Sequence, residues 1–106
     1  MANGLPNYEL QQGDQAVPFS LRTMEAIDQA NRGKPDQPHR HFYYTILWSF
    51  TATGSHMIDF VDYEIKPDHL FFVSPGQVHQ VRTNPDSTGI VLLFTSEFLQ
   101  MNGIRE

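Results

Sequence analysis

The stretch that decides the fold opens with Pro38-His39-Arg40-His41 and closes with Phe71-Phe72-Val73-Ser74-Pro75-Gly76-Gln77-Val78-His79. Two histidines at i and i+2 on a strand share one face of a sheet. A third, following the Pro75-Gly76 turn, meets them only where the sheet curls back on itself. A small antiparallel barrel does that. The stretch therefore predicts an all-β fold, a closed or nearly closed barrel with a histidine-lined mouth or interior.

Working outward, the composition agrees. The chain has 106 residues, enough for one domain. A domain of this size buries roughly 60–70% of the surface its unfolded chain exposes, so one core is expected. Eight Phe, four Tyr and one Trp favour strands. There is no cysteine, hence no disulfide framework and no thiolate metal site. That fits a reducing, cytoplasmic setting. No segment approaches the ~20 apolar residues of a membrane span. Met1 to Asp14 has neither a basic start nor an apolar run, so no signal peptide is expected. The net charge of −5 argues against this chain gripping a phosphate backbone by itself.

Residues 1–17 read as a flexible N-terminal arm, with a short strand around Tyr8-Glu9-Leu10, and residues 18–106 as the domain proper. Phe19 to Ile27 alternates as a first strand, although Met24-Glu25-Ala26 also suits a helix. Asp28 to Pro38 is a loop, with Pro35 and Pro38 against helix. Phe42 to Thr53 is the strongest strand. After a turn at Gly54, His56 to Val61 returns and Asp62 breaks it. Tyr63 to Ile65, Leu70 to Val73, Val78 to Arg82 and Gly89 to Thr95 follow. Ser96-Glu97-Phe98-Leu99 starts a C-terminal helix, with Thr95 or Ser96 as cap. That makes about seven or eight short strands at turn-like spacing.

The central strand has an unusual pattern. His41, Tyr43, Thr45, Leu47 and Ser49 share one face; Phe42, Tyr44, Ile46, Trp48 and Phe50 share the other. An ordinary half-exposed strand is polar on one face. Here the even face is wholly apolar. If the odd face lines the cavity, the even face needs cover from an oligomeric partner or from further helices.

Several segments together resemble a known family. They are Pro38-His39-Arg40-His41, Thr45-Ile46-Leu47-Trp48, Gly54 to Phe60, Tyr63-Glu64-Ile65-Lys66-Pro67, Leu70 to His79, and Gly89 to Leu99. In this order and spacing they are similar to the N-terminal cupin domain of AraC-type bacterial transcriptional regulators. The resemblance covers roughly residues 19 to 100. It implies a small jelly-roll barrel that senses a small-molecule effector, often a sugar or other metabolite, and forms a homodimer. It implies contact with DNA only through a C-terminal domain with two helix-turn-helix motifs, and no basic recognition helix is found in these residues. It implies a binding module rather than an enzyme, with no cofactor.

Two departures bear on chemistry. Metal-binding cupins usually carry a Glu four residues after the second histidine, where this chain has Thr45. The Gly that usually opens the second motif is Asp68. The expected ligand-binding residues are Arg22, His39, His41, Tyr43, Thr45 and His79. The parity of Arg22 on its strand is undetermined by pattern. The alternative is a stand-alone metal-dependent cupin, a dioxygenase or isomerase, holding a divalent ion on His39, His41 and His79. His56 and His69 read as exposed. Trp48 and Phe50 read as buried packing. Asp59, Asp62, Glu64 and Asp68 read as a solvated edge that discourages strand pairing.

Overall fold

The computed structural model describes residues 5–31 and 36–103. In chain order these form β1 (Asn7–Tyr8), β2 (Gln11–Gln12), β3 (Gln15–Ala16), β4 (Phe19–Thr23) and α1 (Met24–Ala30). Then come β5 (Arg40–His41), β6 (Tyr44–Ser49), β7 (Gly54–Ile58), β8 (Val61–Ile65) and β9 (Leu70–Val73). β10 (His79–Thr83), β11 (Gly89–Phe94) and α2 (Ser96–Met101) complete it.

Two antiparallel sheets build the barrel. One has the order β4-β11-β6-β9 and the other β10-β7-β8. His39, in the segment that leads through β5 into β6, bridges to His79 of β10: each backbone N–H donates to the other's carbonyl, at 3.0 and 2.9 Å. That bridge is the curl expected from the histidine spacing. Inward residues lie in rows across the larger sheet. Arg22, Val91, Leu47 and Phe71 form one row; Ser20, Leu93, Thr45 and Val73 form the next. Leu47, Val91 and Leu93 belong to a core cluster with Leu10, Met24, Tyr43, Ala52 and Ile65. Gly54 starts β7 with φ +136°, and a Cβ there would sit 2.0 Å from the carbonyl oxygen of Arg82. Only glycine lets β7 lie this close to β10.

Local chemistry moves two boundaries. The first strand stops at Thr23, because the Thr23 hydroxyl accepts from the Ala26 N–H at 3.1 Å and caps α1. The helical option for Met24-Glu25-Ala26 is the one adopted, with Glu25 in the favourable first turn. The second moved boundary is a hairpin turn. It falls at Asp59-Phe60, both at positive φ (49° and 68°), so β8 runs through Asp62 instead of breaking there. Asp59 fits, because its carboxylate accepts from the Val78 N–H at 3.1 Å and from Gln77 at 2.8 Å. Asp62, Glu64 and Asp68 are exposed, and β8 is an edge strand as expected. Thr95 caps α2, accepting from the Phe98 N–H at 3.2 Å.

The described part of the arm, from residue 5, is tied to the barrel. β1 pairs in parallel with β5, and the N–H groups of Arg40 and Phe42 donate to Pro6 and Tyr8 at 2.9 Å. Leu10 is buried in the core. Residues 1–4, Pro35 in its loop, and 104–106 lie outside the described residues. At the C-terminal end of β6 the even face is open: Trp48 is 43% and Phe50, just past the strand, 40% exposed, where buried packing was expected. No described helix is long and apolar enough to cross a membrane.

Candidate functional site

A cavity of about 840 Å³ opens between the two sheets. Its wall takes in Arg22 from β4, His41 from β5, Thr45 and Leu47 from β6, His79 and Val81 from β10, and Val91 and Leu93 from β11. His39 and Tyr43, which flank β5, also line it. All six residues expected to bind a ligand are thus placed around one space. The β4 register settles the parity of Arg22, since it pairs with the inward Val91 while Leu21 and Phe19 point out.

The histidines form a buried cluster. One ring nitrogen each of His39, His41 and His79 lies within 4.8 Å of the others. Their Nδ1 atoms are engaged elsewhere. His39 Nδ1–H donates to the Gln37 carbonyl and lies 3.4 Å from the Asp36 carboxylate. His41 Nδ1 meets the Thr45 hydroxyl at 3.4 Å. His79 Nδ1 meets His56 Nε2 at 3.0 Å. Each ring is therefore held at one nitrogen, leaving Nε2 as the atom for other chemistry. His79 Nε2 is buried and has no hydrogen-bond partner among the described residues.

His56 corrects the sequence reading. It was expected to be exposed and is fully buried, with Nδ1 unpartnered. It lies in register with Val81, a cavity-lining residue, so strand pairing turns it inward. His69 is exposed, as expected. Tyr8 is a further member that the histidine spacing does not point to; its ring centre lies 5.4 Å from His39 and 6.1 Å from His41.

Burial sets the charge states. Desolvation, with repulsion from His39 and Arg22, pushes His41 down to about 3. Desolvation and repulsion from His39 push His56 down to about 4. The same two causes push His79 down as well, with His41 and His56 adding to the repulsion. These three imidazoles are neutral at pH 7. Burial pushes the Tyr43 phenol up to about 12, so it stays a hydrogen-bond donor. Burial also raises Asp36, against the opposing pull of His39 and the backbone N–H groups of Val81 and Gln37.

Neutral imidazoles suit two tasks: hydrogen-bonding an uncharged group, or ligating a divalent ion. For metal the donor set fits in kind. Nitrogens around a tetrahedral ion at ~2.1 Å stand about 3.4 Å apart. Separations of up to 4.8 Å require the rings to close in. Thr45, at the place of the missing carboxylate, is occupied with His41.

No family model and no curated protein sequence matches the chain. Among solved structures it is similar to a Cupin 2 conserved barrel domain protein from Salinispora arenicola CNS-205. The TM-score is 0.54 at 16% identity, over 89% of this chain and 77% of that one. The fold is a cupin barrel.

Proposed function

We propose that this barrel is the small-molecule-sensing and dimerisation domain of an AraC-type transcriptional regulator. In this reading a metabolite enters the cavity and is held by Arg22, His39, His41, Tyr43, Thr45 and His79. The observation that carries it is the convergence of these six side chains, from β4, β10 and the stretch His39 to Thr45, on one cavity with both apolar and polar walls. Ligand sites have this mixture. The sequence segments that resemble the regulators supply the second support. DNA would be reached through a helix-turn-helix domain, and the exposed Trp48, Phe50, Leu70 and Phe72 form the surface on which a second copy would sit. The protein would work in the cytoplasm as a binding module.

The test is a thermal-shift screen of metal-stripped protein against a metabolite library, repeated with His41→Ala. At least one compound raises the melting temperature, and the variant folds but loses most of that shift. An unchanged shift in His41→Ala removes His41 from the site. No shift with any compound overturns the sensor reading.

A second reading rests on the unpartnered, buried His79 Nε2. His39, His41 and His79 would hold a divalent ion there, supplying Lewis acidity to a bound substrate. Stoichiometric metal after purification, lost in His79→Ala, supports it. Metal-free protein that still binds its ligand contradicts it.

A further inference from the structure

Arg22 is a cation without an ionic partner among the described residues. The ion pair found there is Lys66–Glu64, and the Asp36 carboxylate lies against the His39 ring. Arg22 is half-buried on the inward side of β4. Its Nε–H donates to the Ser20 hydroxyl at 3.3 Å, and one Nη2–H donates to the Gln11 carbonyl at 2.7 Å. These two bonds fold the side chain back toward Ser20, in the row that carries Leu93 and Thr45. A guanidinium has five N–H donors. The two it spends leave three N–H donors on Nη1 and Nη2, the nitrogens that together can receive a carboxylate.

The rest of the cavity does not supply that carboxylate. Asp36 is committed to His39 and to the Val81 N–H. Glu9 and Asp28 lie at the rim, exposed to water, as does the cationic Arg82. His79 Nε2 is buried with no hydrogen-bond partner among the described residues, so a ligand oxygen that reached it would satisfy it. Leu47, Val91 and Leu93 make the apolar wall beside them.

We infer that the cavity selects a small organic acid, its carboxylate on the Arg22 guanidinium and a hydroxyl or carbonyl oxygen at His79 Nε2. This rests on the sensor reading and narrows it from metabolites in general to carboxylates. A neutral sugar could accept hydrogen bonds from these N–H groups but would leave the charge of Arg22 uncompensated in a half-buried site.

The experiment is calorimetric titration of the full chain with matched pairs: D-gluconate against D-glucose, glutarate against glutaramide, and 4-hydroxybenzoate against 4-hydroxybenzamide. In at least one pair the acid binds tenfold or more tighter than its neutral partner. Arg22→Gln removes that difference, and Arg22→Lys, which keeps the charge but not the guanidinium, retains part of it. Circular dichroism of each variant confirms the fold. Neutral partners that match their acids, or a preference that survives Arg22→Gln, overturn the carboxylate assignment and leave the sensor reading standing. No binding by any of the six also overturns it, and the library screen then decides the sensor reading separately.

Discussion

The two faces of β6 are made in opposite senses. Inward it buries His41 and Tyr43, just before the strand, then Thr45, Leu47 and Ser49; outward it shows Trp48 and, just past its end, Phe50. The neighbouring β9 repeats the outward pattern with Leu70 and Phe72, 65% and 54% exposed. A half-exposed antiparallel strand ordinarily buries its apolar side and wets its polar side. This one partly reverses the rule. The lesson is that the polar side chains of this strand line a cavity while its aromatic ones stay at the surface. A sheet selected for stability alone would have neither.

That contrast can be broken by mutation. Leu47→Ala removes a core side chain from the inward face and should cost about 2–5 kcal/mol. At about 4–8 °C per kcal/mol for a domain near this size, thermal unfolding should show it plainly. A cost below that range would mean the inward face is loosely packed.

Acid should come next. His41 and His56 are held at about 3 and 4, below the ~6.5 of an unfolded chain. Between those values the unfolded state binds more protons, so stability present above pH ~6.5 is lost as pH falls. The loss approaches about 1.4 kcal/mol per pH unit for each histidine. The melting temperature should drop steeply from pH 7 to pH 5. A flat profile would contradict the neutral, buried histidines.

Thr45→Val keeps the shape and leaves His41 Nδ1 without its hydroxyl partner. It should cost about 1 kcal/mol in chemical denaturation. A gain in stability would show that the 3.4 Å contact contributes nothing. The smallest effect belongs to the outward face. Trp48→Ser should change monomer stability by under about 0.5 kcal/mol, as surface sites do. It should weaken any concentration-dependent self-association seen by sedimentation. A large loss of monomer stability would mean the outward aromatics are structural after all.

The barrel was legible because histidine spacing, the Pro75-Gly76 turn and aromatic strands all demand a sheet that closes. The inward parity of β6 was legible for the same reason: its two faces differ in kind. β4 was less so, since Phe19, Leu21, Ser20 and Arg22 suit either orientation, and only pairing with Val91 and Leu93 decides. The turn at Asp59-Phe60 was hidden. Two-residue hairpin turns at positive φ favour Asn-Gly or Asp-Gly, and Phe60 violates that preference. His56 was hidden with it, because a misplaced turn obscures which residues of the hairpin face the cavity. The arm was read as loose because its polar composition does not reveal that Leu10 is a core residue.

The most direct measurement is a methyl-labelled NMR titration with a ligand from the screen. Leu47, Val91 and Leu93 face the cavity, whereas Ile46, Ile90 and Leu92 sit between them on the opposite face of the same two strands. The inward methyls should shift on binding and the outward ones should stay. Shifts confined to the outward set, with the inward methyls silent, would contradict a ligand held among the histidines.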